Sequence, residues 1–402
     1  MNSGHSATDT TASKSAALRA RLAPYVESGA VPGLVAFVLR DGREQVEALG
    51  VKTAGKPDAV ERDTIFRIAS MTKPTAALAT LLAVEDGKLR VDEPVDRLLP
   101  ELAKRQVLNR LESQLDDVVP AKRAITVRDL LTFQLGFGIV MAPPNSYPIQ
   151  TATAALELGQ GIPWPATPPS PDEWLRRFST LPLMHQPGEQ WLYNTGADLL
   201  GILVARATGE SFDDFLRERL FEPLAMIDTD FHVPPAKLSR FTTSYVVDPQ
   251  TRAPTQYDAI DGEWSRAPDF PGGGAGLVST GDDFLRLSRF MLSGGSVNGK
   301  RLLSADLLRQ MTSDQLTPAV KARGGLTPDF FARHSWGYCI SVVTERDELG
   351  RSAGSYGWNG GLGSSWYVDP SKNLAGVLLS NCAWTNPSPP PLFQDFWREV
   401  TA

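Results

Sequence analysis

"RIASMTKPTAALATLLAVEDGKL", residues 67–89, decides how the rest of the chain is read. Its back half is an Ala- and Leu-rich helical run that stops at Asp86-Gly87, and its front carries Ser70, Lys73 and Pro74. Proline is tolerated in the first turn of a helix, where its missing N–H has no partner to lose, so Pro74 sets the helix start near Met71. Ser70 then sits at the positive end, and the three-residue spacing brings the Lys73 ammonium beside the Ser70 hydroxyl. Such a pair can make an activated nucleophile, because apolar surroundings lower the proton affinity of a lysine toward that of a useful base. The same residues also suit an N-cap serine followed by a solvated lysine, and a Ser-x-x-Lys spacing turns up about once by chance in a chain of this size.

Composition excludes several alternatives. The 402 residues are 42% hydrophobic and 21% charged with a net charge of −6, an ordinary globular balance with material for a sizeable core. No basic stripe offers a nucleic-acid partner. The start, "MNSGHSATDTTASKSAALRARLAPY", lacks the apolar run of a signal peptide, and no apolar stretch reaches the roughly 18 residues of a membrane helix. A cytoplasmic protein without a membrane partner is expected. Cys339 and Cys382 lie far apart without CxxC spacing and read as buried thiols. His5, His185, His232 and His334 have no metal-like spacing, and no Gly-x-Ser-x-Gly elbow occurs, so neither a metal nor a cofactor is expected; the histidines read as structural or surface residues, with a Ser-His-Asp triad formally open.

Periodicity gives a coarse map. "SKSAALRARLAPYVESG" has helical spacing, and "GLVAFVLRDGREQVEALG" reads as two strands around an Asp41-Gly42 turn. Helices dominate from Thr75 to about Met226, and strand-like runs return as "SWGYCISVVTER", "SSWYVDP" and "NLAGVLLSNCAW". One sheet built from both termini is therefore expected, with a helical lobe inserted. Residues 138–171, Pro-rich and apolar with Glu157 their one charge, read as an irregular lid or pocket wall.

Two further stretches, "PGEQWLYNTGADLLGILVARATGESF" and "GSYGWNGGLGSSWYVDP", follow "ASMTKP" in an order and at separations that resemble class C serine β-lactamases, DD-peptidases and the family VIII carboxylesterases of the same fold. Lesser landmarks such as "GKLRVDEPV", "ITVRDLLTF", "GGGAGLVSTGDDFLRL" and "NGKRLLS" extend the resemblance over nearly the whole chain. It implies an α/β (α+β) β-lactamase/transpeptidase-like fold. A single catalytic domain, 1–402, would have an α/β lobe of residues 1–80 plus 270–402, with an antiparallel sheet, and a helical lobe of residues 81–269.

The resemblance also assigns roles. Ser70 becomes the nucleophile, Lys73 and Tyr193 its proton-transfer partners, and the backbone N–H groups of Ser70 and Gly361 the oxyanion hole. Tyr193-Asn194-Thr195 stands where β-lactamases have Tyr-x-Asn, so Thr195 falls at the position of a substrate-binding amide; Asp198 and Gly201 keep the spacing of esterase-type members. Trp358-Asn359-Gly360 replaces Lys-Thr-Gly, an apolar ring in place of a cation, and with Phe137 and the "GIPWPA" loop would line a substrate pocket. Without that lysine a substrate carboxylate loses a charge-assisted bond of about 1.5–3 kcal/mol, which favours neutral esters with short to medium acyl groups and leaves weak β-lactam turnover open. A small-molecule ester would be the partner, and the oligomeric state is not encoded in any motif. Alternatives are a β-lactamase, a D-amino-acid peptidase or amidase, or an acyltransferase, favoured if Arg323 or Arg333 entered the pocket, and, less well supported, a non-catalytic scaffold. Whether Lys73 or Tyr193 is the formal base stays open at this stage.

Overall fold

The computed structural model describes residues 6–159, 169–248, 250–251, 253–384 and 388–402. Strands β1 (Gly33–Arg40) and β2 (Arg43–Gly50) are joined by Asp41 and Gly42 at φ 50° and 78°, the left-handed pair that a tight two-residue hairpin needs. β3 (His334–Trp336), β4 (Ser341–Val343), β5 (Tyr356–Gly360), β6 (Ser364–Asp369) and β7 (Leu374–Ser380) complete a sheet of order β3-β4-β5-β6-β7-β1-β2, antiparallel throughout. Sequence-distant termini thus share one sheet, as expected.

Strand periodicity explains its two faces. Leu34, Ala36 and Val38 of β1 pack with Leu22 of helix α1 (Ser6–Glu27) and with Phe393 and Phe396 of the C-terminal helix Pro391–Thr401. Val35, Phe37 and Leu39 point the other way, into the main core. There the helix Gly281–Leu292 presses so close that a Cβ on Gly281 would lie 2.0 Å from the Phe37 ring. With both faces covered, β1 reads as a continuous apolar run rather than an alternating one.

Three expectations are corrected. The run "SWGYCISVVTER", residues 335–346, is split between two short strands, because the chain turns at Gly337–Ile340 with Cys339 at φ 52°. "NLAGVLLSNCAW" splits likewise: Cys382–Ala383 leaves the main sheet and pairs in parallel with Ser244–Val247 in a separate three-stranded sheet. The stretch 138–171 is not wholly irregular, since Pro148–Ala155 is helical, with Pro148 at its first position and Gln150 bonded back to the Tyr147 N–H. Residues 160–168, which contain "GIPWPA", lie outside the described residues.

Two buried helices carry the chemistry-bearing segments. Helix α2 (Lys73–Glu85) is buried from Lys73 to Ala83, and its Ala/Leu face packs against α3 (Thr195–Thr208). Gly87 at φ 70° and Gly209 at φ 81° terminate the two runs as left-handed caps. Their N-termini converge beside the end of β5.

Candidate active site

Ser70 lies in a 3₁₀ turn, Ala69–Thr72, and the α-helix proper starts at Lys73, two residues later than Pro74 alone suggests. Ala69 enters that turn at φ 44°, a left-handed conformation uncommon for a residue with a Cβ. The turn keeps the expected pairing: Lys73 Nζ is 3.0 Å from Ser70 Oγ and donates to the Gly274 carbonyl at 2.6 Å. Lys73 is fully buried. Desolvation lowers its pKa from 10.5 to about 7, against the opposing pull of the Asp198 carboxylate and, more weakly, Cys339.

Tyr193 closes the other side. Its ring centroid is 4.5 Å from Lys73 Nζ, and its hydroxyl accepts the Trp358 Nε1–H at 2.7 Å and is hydrogen-bonded to Ser70. Burial raises the phenol's pKa above its ordinary 10, while the bonds to Ser70 and Trp358 pull the other way. Phe133, Trp191, Trp336 and Trp358 surround the ring at centroid distances of 5.7–6.2 Å and fix its orientation. Asn194 then takes φ 90° to turn the chain into α3.

The third segment obeys the two-residue period of β5. Trp358 and Gly360 share the face toward Ser70, and Gly360 allows a close approach: a Cβ there would lie 2.0 Å from the Ile68 carbonyl. Ser364 Oγ donates to the same carbonyl at 2.8 Å, which locks the sheet edge to the Ser70 turn. Gly361 accepts the Trp384 N–H through its carbonyl, and no described residue takes the Gly361 N–H.

Three expected substrate-binding residues are placed elsewhere. Asn359 faces the opposite side of the sheet, where Ser365 Oγ donates to its Oδ1 at 2.6 Å and itself accepts from Trp397 of the C-terminal helix. Phe137 is fully buried against Phe178, rings 4.9 Å apart and perpendicular, so it is core rather than wall. Thr195 is buried under the first turn of α3, and its neighbour Asn194 lines the cavity instead.

Two cavities flank the cluster. The larger, about 1060 Å³, meets it through Asn194, Asp198 and Gly274 and has apolar walls that include Ile139, Trp174, Phe231 and Trp264. The smaller, about 200 Å³, runs along Trp191 to Tyr193 and is bordered by Arg323, which lies 3.8 Å from Glu189. Arg333 lines neither cavity and instead meets Glu348 and the Arg346 carbonyl. Trp264, in the short 3₁₀ turn Glu263–Ser265, and Phe231 belong to no amphipathic run, so nothing periodic in the sequence marks them as wall residues.

One rival array exists. His334 Nδ1 is 3.4 Å from Ser341 Oγ, and its Nε2 is 3.5 Å from Asp347. Ser341 is fully buried on β4, neither cavity reaches it, and Asp347 is bonded to Arg351 at 2.6 Å. This is a packed polar network of the sheet edge, with its serine fully buried. Cys339 and Cys382 are both buried and free, and no group of three or more potential metal ligands occurs among the described residues. No described helix is long and apolar enough to cross a membrane.

A serine with a buried lysine three residues on, a tyrosine from a second helix start and a glycine-edged strand define the serine β-lactamase type of site. The chain belongs to the beta-lactamase family, whose model matches residues 18–394. It is 36% identical to an uncharacterized protein of Mycobacterium tuberculosis over 90% of this chain and 89% of that one. It is 31% identical to esterase EstB of Burkholderia gladioli, covering 89% and 88%. In three dimensions it superposes on EstCE1, described as a hydrolase with promiscuous acyltransferase activity, with a TM-score of 0.80 at 21% identity over 97% of this chain and 99% of that one.

Proposed function

We propose that the protein is a serine hydrolase that cleaves neutral carboxylic esters through an acyl-enzyme on Ser70. The observation that carries this reading is the buried Lys73, 3.0 Å from Ser70 Oγ, with a pKa lowered to about 7. Neutral Lys73 accepts the Ser70 proton while one of its own N–H groups holds the Gly274 carbonyl. Ser70 Oγ attacks the ester carbonyl, and the oxyanion settles between the backbone N–H groups of Ser70 and Gly361. Tyr193, whose pKa is raised, stays protonated and gives its proton to the departing alkoxide. Water, deprotonated by the same pair, then attacks the acyl carbon, and Ser70 leaves with a returned proton. This division of labour favours Lys73 over Tyr193 as the base.

Ester selectivity follows from the third segment. Trp358 spends its N–H on Tyr193 and offers the substrate an apolar ring, with no cation for a β-lactam carboxylate. The name of the Burkholderia gladioli relative agrees with this reading. The large cavity supports the second one: an alcohol seated there would resolve the same acyl-enzyme as an acyltransferase does.

A panel of 4-nitrophenyl esters of increasing chain length beside a chromogenic cephalosporin tests the assignment. The esters are expected to turn over faster; a cephalosporin turned over far faster than any ester contradicts it. The base assignment has its own check. Activity requires neutral Lys73, so kcat/KM is expected to be flat above and to fall below a pH of about 7, as the ammonium form takes over. A fall centred near the ordinary lysine value of 10.5 would remove Lys73 from that role.

A further inference from the structure

Asp198 joins the larger cavity to the lysine. It stands one helical turn after Asn194 on α3, and both line the cavity. The Gly274 N–H donates to its Oδ1 at 2.8 Å, and the Gly274 carbonyl accepts from Lys73 Nζ. The strap carrying Gly274 is wrapped on the carboxylate: a Cβ at Gly274 would lie 2.7 Å from Oδ1, and one at Gly272 3.4 Å. Among the described residues Asp198 has no ion pair within 4.0 Å, whereas the guanidinium of Arg177 on the same cavity wall is paired with Glu157 and Glu173, and that of Arg266 lies 3.9 Å from Glu263.

We propose that Asp198 is a positioning and selectivity residue: it seats the Gly272–Gly276 strap against Lys73, sets its carboxylate beside that lysine, and bars anionic substrates from the inner wall of the larger cavity. The proposal rests on the ester-hydrolase reading above. The groups facing Lys73 are Ser70 from its own turn, Tyr193 and Asp198 from the start of α3, the Gly274 carbonyl from the strap and Cys339 from the β3–β4 turn. Burial keeps the Cys339 thiol and the Tyr193 phenol protonated; it raises the pKa of Asp198 as well, but Lys73 and the Gly274 N–H pull that carboxyl back toward its ionised form, so Asp198 is the group beside Lys73 that can carry negative charge. A carboxylate in a low-dielectric wall repels a like charge and welcomes neutral or hydroxyl-bearing groups. The substrate class is then neutral esters on the side that enters this cavity.

The test is Asp198→Asn, which keeps an oxygen for the Gly274 N–H and removes the charge. Three esters are compared: 4-nitrophenyl valerate, the mono-4-nitrophenyl ester of glutaric acid with a carboxylate on the acyl side, and 3-carboxy-4-nitrophenyl valerate with one on the alcohol side. The acid limb of kcat/KM for the neutral ester is expected to move to lower pH by about half a unit or more, because loss of the carboxylate destabilises the ammonium. The relative kcat/KM of at least one anionic ester is expected to rise about tenfold over the neutral one. A folded variant that keeps either the parent's limb or its selectivity overturns the proposal. If the variant does not fold by circular dichroism, the parent decides: it is expected to disfavour at least one anionic ester by about tenfold at low salt, with the gap narrowing as salt is added. Equal turnover of all three overturns the proposal. Absence of any ester turnover would instead count against the hydrolase reading itself.

Discussion

Ser70→Ala is expected to remove ester hydrolysis while the fold persists. Among the described residues Ser341 is the one serine set against a histidine and a carboxylate in line, and it is fully buried, whereas Ser70 is partly exposed. Loss of the nucleophile from a concerted serine site costs on the order of 10⁴-fold or more in kcat. The stability change is expected to stay within about 1 kcal/mol, since Ser70 caps no helix through its side chain and Lys73 keeps its bond to the Gly274 carbonyl. Steady-state kinetics and thermal denaturation check both halves. Turnover near the parent's level would end the assignment of Ser70.

The second large effect belongs to Tyr193→Phe. The ring stays in its aromatic cage, and only the proton carrier is lost, so kcat is expected to fall on the order of 10²-fold or more. The loss should depend on the alcohol. An ethyl ester needs its alkoxide protonated, whereas 4-nitrophenolate leaves unaided, so the ethyl ester suffers more if Tyr193 is the proton donor. Stability also pays, by about 1–3 kcal/mol, because the Trp358 Nε1–H is left without its acceptor. Equal losses for both esters would place Tyr193 in another role. Asn194→Ala, one residue on, is expected to be mild by comparison.

Which parts of this were readable beforehand depends on how local the physics is. The Ser70/Lys73 pairing needs only the geometry of one helical turn, and the Asp41-Gly42 hairpin needs only two left-handed residues, so both were legible. Trp358 and Gly360 lie on one face and Asn359 on the other, an alternation that was equally legible in β5 and that argues against treating the three as a unit. Phe137 was not decidable: an apolar ring suits a core and a pocket wall equally, and only its packing on Phe178 separates them. Thr195 is hidden for a different reason. The φ of 90° at Asn194 turns the chain so that Asn194 lines the cavity and Thr195 is buried, and no propensity foretells such a residue. Asp198 had a weak signal, since its spacing from Tyr193 matches esterase-type relatives, but its bond to Gly274 joins residues 76 positions apart.

The central claim is that Ser70 carries the acyl group, and one labelling experiment tests it most directly. The native protein is treated with a fluorophosphonate probe, digested, and mapped by mass spectrometry, with and without prior incubation with an ester substrate. The account predicts one phosphonylated residue, Ser70, with labelling slowed by the ester and lost in Ser70→Ala. Labelling at any other serine in a protein that hydrolyses esters would contradict it.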